Sequence, residues 1–234
     1  MQAQDLNLEP DIFIQHKVIG VIGTDTEVGK TYVTVELLKY LNGFGFKTCG
    51  LKPIASGACH VGKQLVNDDA LQLQKAASEE YHYNLINPEV FVPAIAPHIA
   101  ADLAGKSLTC KRLVTSIRKS LAATKADITL VEGAGGLLTP LNMTETYADV
   151  FKALELPLIL VIGMRLGCLN QALLTAAYLK THGFNCLGWI ANIIDPEMPY
   201  LNANIATLEE MMCFPKLAVF EHKAMSSVSL LSDF

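Results

Sequence analysis

Apolar runs alternate with amphipathic stretches along the whole chain. Residues 17–22 are apolar and β-branched, the pattern of a buried strand, and 23–31 form a loop of small and polar residues. From Thr31 the period changes: Val33, Leu37, Leu38 and Leu41 recur at helical spacing until Asn42-Gly43 supplies a stop. Residues 48–52 read as a second short strand, ended by Pro53, and 67–76 as a short helix. Residues 78–98 contain Asn87-Pro88, Pro93 and Pro97 and read mainly as loop. Leu113, Ile117 and Leu121 mark an amphipathic helix, and 127–131 a buried strand. Helices are then predicted over 148–154, 170–182 (with Gly183 as its stop) and 201–212, and strands over 157–162, 186–194 and 217–220.

Apolar strands that alternate with helices predict an α/β fold: a mainly parallel central sheet covered on both faces, three layers in all. In such sheets ligands bind beyond the carboxyl ends of the strands, which is where the polar loops of this chain fall. The 234 residues, 51 % of them hydrophobic, suffice for one domain over 17–234. Residues 1–16 read as a polar, flexible leader without the basic-then-apolar layout of a secretory signal. A net charge of −5 argues against nucleic acid as partner. The longest apolar runs, such as 156–164, are too short to span a membrane, and residues 226–234 carry no basic amphipathic helix for docking on one. Six scattered cysteines without metal-ligand spacing fit an intracellular chain with free, mostly buried thiols.

The sharpest motif is Gly23-Thr-Asp-Thr-Glu-Val-Gly29-Lys30-Thr31, placed between a strand and a helix. That setting suits a P-loop. Gly29 lets the backbone approach phosphate, the helix N-terminus offers free N–H groups, Lys30 reaches the terminal phosphates and the Thr31 hydroxyl ligates Mg²⁺. Five residues separate the two glycines where the common pattern has four. Glu132 ends the strand over 127–131 and precedes Gly133-Ala134-Gly135-Gly136. A carboxylate there suits Mg²⁺, held directly or through water; alone, it would serve equally well as a turn residue.

GTDTEVGKT (23–31), LKPIASG (51–57), NDDALQL (67–73), APHIA (96–100), VEGAGGLLTPL (131–141) and LGCLN (166–170) together resemble the signature blocks of the dethiobiotin synthetase family, in that family's order. The resemblance covers the chain from Val18 to about Asn192 and accounts for the longer glycine spacing. It implies a P-loop NTPase fold and a cytoplasmic, homodimeric, ATP- and Mg²⁺-dependent ligase of biotin biosynthesis, with 7,8-diaminopelargonic acid, CO₂ and ATP as its substrates. It implies Lys30 and Lys52 as catalytic lysines, and Thr31, Asp69 and Glu132 as metal ligands. The nucleotide falls to Glu27, Val28, Gly29, Lys30, Thr31, Tyr32, Asp69, Glu132, Gly133, Ala134, Gly135 and Asn192. The diamine falls to Thr26, Glu27, Ser56, Gly167, Cys168 and Asn170, with the start of the helix at 168 holding its carboxylate across a dimer interface. Asp68 competes with Asp69 for the metal role, and either would otherwise cap the following helix. Lys52 would otherwise be a surface lysine. His98 occupies a recurrent family position, and Met211-Met212 reads as core. Two stretches depart from the family pattern: Ile193 replaces the acidic residue usual after Asn192, and 217–220 lacks a Gly-x-Ile-Pro type of segment.

Two other functions use the same motif. Cobyrinate-type amide synthetases carry a glutaminase domain for which this chain is too short. Partitioning-type ATPase switches carry an additional early lysine, where this chain has Thr24-Asp25.

Overall fold

A computed structural model describes residues 8–221. In chain order the elements are α1 (Asp11–Gln15), β1 (Val18–Gly23), α2 (Lys30–Gly43), β2 (Thr48–Leu51), β3 (Ile54–Ala55), β4 (Cys59–Val61), β5 (Gln64–Val66), α3 (Asp68–Ala76), α4 (Tyr83–Ile86) and β6 (Glu89–Val90). The second half continues with α5 (Pro97–Leu103), α6 (Cys110–Thr124), β7 (Ile128–Glu132), α7 (Tyr147–Leu154), β8 (Leu158–Met164), α8 (Cys168–Thr181), β9 (Cys186–Ile193), α9 (Leu201–Met211) and β10 (Lys216–Phe220).

Six strands make one parallel sheet in the order β10-β9-β8-β1-β7-β2. The expected α/β architecture is therefore the observed one. Strand β7 is buried at every position, as is β8, because helices cover both faces of the sheet. The order also fixes where a ligand can sit. From β1 the chain crosses to β2 on one side and later returns to β8 on the other, so a crevice opens at the carboxyl end of β1. Register brings the flanking loops level with it: Val21 pairs with Glu132, Leu51 with Val131 and Gly23 with Val161.

Three regions differ from expectation. Residues 59–66 form a small antiparallel hairpin of β4 and β5, and 83–90 contain α4 and the short β6, which pairs with β3. The rest of 78–96 is loop, as its proline density predicts, and Pro97 occupies the first turn of α5, where its missing N–H costs nothing. The leader is ordered where it is described. Phe13 is fully buried, Leu8 is buried, and the Tyr40 hydroxyl donates to the Leu8 carbonyl at 2.7 Å. One apolar residue per turn suffices to anchor so short a segment, although the segment as a whole reads as polar. The expectation for 226–234 falls outside the described residues. Of the six thiols, Cys49, Cys168 and Cys186 are buried, whereas Cys59 and Cys213 are exposed. Met212 is core and Met211 exposed.

Phe13→Ala empties a fully buried ring site and is expected to cost about 3 kcal/mol of stability in urea unfolding. A loss below about 1 kcal/mol would mean that residues 8–16 add little to the core.

Candidate active site

The loop after β1 turns sharply before α2. Glu27 sits at φ 59° and Gly29 at φ 83°, both in the left-handed region, which is costly for Glu and easy for Gly. A Cβ on Gly29 would lie 2.0 Å from the Asn192 amide nitrogen. That amide donates to the Val28 carbonyl at 2.9 Å. Asn192, at the end of β9 and buried, therefore clamps the loop from the sheet. An asparagine expected to meet the nucleotide also holds the loop's shape.

Lys30, the first residue of α2, is buried, and its ammonium donates to the Asp25 carbonyl at 2.7 Å. Burial is the main force on it, joined by the like charge of Lys52. Together they outweigh Glu132, Asp69 and Asp25 and lower its pKa from 10.5 to about 8. Lys52, just past β2, is also buried. It donates to Glu132 Oε1 at 2.5 Å, lies 3.1 Å from Asp69 Oδ2 and stands 3.4 Å from the Gly133 carbonyl. Burial alone would discharge it, but the two carboxylates more than offset that and raise its pKa. Its backbone is fixed as well: its N–H bonds the Ile86 carbonyl at 2.8 Å, and its own carbonyl accepts from the Asn87 amide at 2.6 Å.

The Thr31 hydroxyl donates to Glu132 Oε1 at 2.8 Å. Glu132 is fully buried, and its second oxygen, Oε2, has no hydrogen-bond partner. A buried anionic oxygen left unpaired is costly, so this atom is poised for a ligand. Asp69 is half-exposed. Desolvation pushes its pKa up, but Lys52 and the Thr31 hydroxyl hold it below the usual carboxylate value. Asn67 caps α3 by accepting from the Ala70 N–H, and Asp69 turns to Lys52.

Thr31, Glu132 and Asp69 thus offer a hydroxyl and two carboxylates around Lys52. That donor set fits Mg²⁺, a hard cation that takes few protein oxygens and keeps water and phosphate as its other ligands. Among the described residues no cluster of three His, Cys, Asp or Glu could hold a metal.

Other candidates flank this centre. Gly133 donates its N–H to the Val21 carbonyl, and Gly136 approaches the Thr24 carbonyl, so the loop after β7 lies along the phosphate loop. Ala134 is buried and Gly135 half-buried beside them, and the half-buried Tyr32 meets Phe220 edge-on at 6.0 Å. Ser56 has a buried hydroxyl without a partner, and Thr26 and Glu27 are exposed at the loop tip. Gly167 is at φ 95° ahead of α8, Asn170 is exposed, and the Cys168 side chain is fully buried. The Cys168 N–H already bonds the Arg165 carbonyl at 3.0 Å. His98 Nδ1 is buried and unpaired.

Three residues escaped sequence reasoning. The Asp25 carboxylate accepts from Arg165 Nη2 at 2.9 Å, from Gln171 Nε2 at 3.0 Å and from the Thr26 N–H at 2.7 Å. Asp25 lies inside the quoted motif, but its partners stand 140 and 146 residues away and no spacing rule links them.

The fold is shared with solved structures of low identity. The septum site-determining protein MinD of Pyrococcus horikoshii, complexed with Mg-ADP, gives a TM-score of 0.53 at 20 % identity, over 89 % of this chain and 82 % of that one. The signal recognition particle receptor FtsY of Elizabethkingia anophelis gives 0.53 at 14 %, over 89 % and 60 %. This likeness shows the α/β fold alone; a family model described as an AAA domain matches residues 17–227, and with the buried lysine, the tight loop and the carboxylate at the end of the neighbouring strand it sets the chain in the P-loop class. The ATP-dependent dethiobiotin synthetase BioD of Pseudoalteromonas translucida is 48 % identical over 87 % of this chain and 89 % of its own, and that of Cellvibrio japonicus 44 % identical over 92 % and 94 %. The chain belongs to the ATP-dependent dethiobiotin synthetase family, a family of ATP-dependent ligases.

The buried Lys30 makes stability depend on pH. In metal- and nucleotide-free protein the unfolded chain holds this proton up to about pH 10.5 and the folded chain only to about 8, so Lys30 weakens the fold below pH 8 and ceases to do so as pH rises through that window. Lys30→Met is therefore expected to exceed the parent in urea midpoint at pH 7, with the gap closing between pH 8 and 10.5. A gap that stays constant over that window would mean the lysine is not desolvated.

Proposed function

We propose that this chain closes the ureido ring of dethiobiotin, using 7,8-diaminopelargonic acid, CO₂ and ATP, with Mg²⁺ held by Thr31, Asp69 and Glu132. The observation that carries the reading is the buried Lys52, fixed between Glu132 and Asp69 and level with Lys30 at the crevice beyond β1.

The chemistry needs little covalent help from the protein. One amine of the diamine adds to CO₂, giving a carbamate and releasing a proton. A carbamate oxygen attacks the γ-phosphorus, the bond to the bridging oxygen breaks, and ADP leaves with that electron pair. The second amine then attacks the carbamoyl carbon, phosphate departs, and the ring closes with loss of a proton. Each step moves negative charge among oxygens, so the protein's task is positioning and charge neutralisation. When bound, Mg²⁺ neutralises the terminal phosphates.

Lys30 exchanges the Asp25 carbonyl for phosphate oxygen, and the arriving negative charge keeps its ammonium protonated. Phosphate thus stabilises a charge that burial alone disfavours. Lys52 is held permanently charged and donates to the carbamate and to the moving phosphoryl oxygens. The unpaired Ser56 hydroxyl suits the carbamate, and Thr26 and Glu27 stand at the loop tip where amines would lie. Tyr32 and Asn192 border the nucleotide, with Val28, Gly29, Ala134 and Gly135 presenting backbone to its phosphates and Gly133, whose N–H bonds the Val21 carbonyl, holding that loop in place beside them.

The diamine carboxylate falls to the start of α8. Because the Cys168 N–H is spent on Arg165, the following amides of Leu169 and Asn170 are the ones free to meet it. Leu166, 95 % exposed, and Leu174 bring apolar surface to this helix, in keeping with a homodimer contact. Among the described residues no helix is long and apolar enough to cross a membrane.

The direct test is ATP consumption with 7,8-diaminopelargonic acid and bicarbonate. Turnover is expected only with both, and turnover indifferent to the diamine would overturn the reading. Lys52→Met should lower product formation by about 10²-fold or more, measured well below the variant's melting temperature because Glu132 loses its counter-charge. Asp69→Asn, at a half-exposed site, should raise the Mg²⁺ concentration for half-maximal rate about tenfold. An unchanged metal dependence would make Asp69 a partner of Lys52 only.

A further inference from the structure

Two strand-end loops carry the two halves of this site, and one side chain joins them. Asp25 belongs to the phosphate loop after β1. Arg165 lies in the turn after β8, and Gln171 in the first turn of α8. One carboxylate oxygen of Asp25, Oδ2, accepts from both, while Oδ1 takes the Thr26 N–H. The backbone carbonyl of the same residue takes the ammonium of Lys30. Strands β1 and β8 are direct neighbours, and the Thr24 N–H bonds the Val161 carbonyl at 3.1 Å, so the loops leave the sheet side by side.

The clasp is too exposed to matter for folding. Arg165 and Asp25 side chains are 35 % and 43 % accessible, and such pairs contribute little to stability. Its effect is on orientation. Any shift of the phosphate loop when Lys30 leaves the Asp25 carbonyl is passed through Asp25 to Arg165, whose carbonyl holds the Cys168 N–H at the start of α8. Gln171 carries the same displacement one turn along the helix.

We propose that Asp25 is a positioning residue that couples the two halves of the site: gripped by Arg165 and Gln171, it ties the phosphate loop to the N-terminus of α8, so that nucleotide and diamine each tighten the other's binding. The inference rests on the reading that α8 meets the diamine carboxylate. Linkage makes the coupling reciprocal, so one ratio describes both directions.

The test is calorimetric titration of the full-length protein with a non-hydrolysable ATP analogue and Mg²⁺, with and without saturating 7,8-diaminopelargonic acid. The parent should bind the analogue about fivefold or more tightly when the diamine is present. Arg165→Met should bring this ratio close to one while leaving the melting temperature and the affinity for the analogue alone unchanged. Arg165→Lys should restore most of the ratio, which a purely structural role of the arginine would not produce. The ratio registers the coupling whether the α8 amides serve their own protomer or its partner. A parent protein that binds both ligands with a ratio of one, or an Arg165→Met variant that keeps the full ratio, overturns this proposal and leaves the function standing. A parent that binds the analogue but no diamine overturns the substrate reading and this proposal with it.

Discussion

The structure turns on one buried pair of opposite charges, the Lys52 ammonium against the Glu132 carboxylate. Burial alone would strip the lysine of its charge. Each is held by the other, with Thr31 and Asp69 at the edges, and the sheet supplies the scaffold: β2 and β7 are paired neighbours, so the residues that follow or end them are brought together. The pair is not a source of great stability, since desolvation consumes most of what attraction returns. What it provides is a cation that cannot swing away or titrate, aimed into a crevice where anions meet. Lys30, whose ammonium rests on a backbone carbonyl and not on a carboxylate, is left the softer of the two lysines.

This asymmetry between the lysines gives the site its division of labour. One is charged by its protein neighbours before any ligand arrives; the other has its charge depressed by burial and by the first lysine. The arrangement follows from topology. In a parallel sheet every carboxyl end lies on one side, so the loops after β1, β7 and β8 must share a rim. Charges on that rim cannot be independent.

Much of this was legible in the amino-acid sequence. Strand–helix alternation predicts the parallel sheet, and the glycine–lysine–threonine run between a strand and a helix predicts the phosphate loop. Glu132 and Lys52 stand at the ends of apolar runs, which marks them as rim residues. What stayed hidden has physical reasons. The Asp25 clasp joins residues 140 and more apart through side chains of modest burial, and pattern periodicity is blind to such pairs. Asp69 faces Lys52, a contact between residues 17 apart in the chain that no local pattern encodes, while α3 starts at Asp68, too early for either aspartate to cap it. Phe13 is a single aromatic in a polar segment, and one buried ring leaves no period to read. Proline density marks 78–98 as mainly loop, as observed, but α4 and β6 fit between the prolines and are too short to leave a period.

Glu27 holds a backbone conformation that glycine would adopt without strain. Such positions store of order 1–3 kcal/mol, and the chain tolerates that burden at the tip of its most chemically committed loop. Here durability and reactivity pull against each other. A search for sturdier versions of this protein would be drawn to residue 27 first, and a gain in robustness there would come with the loss of a carboxylate from the mouth of the crevice.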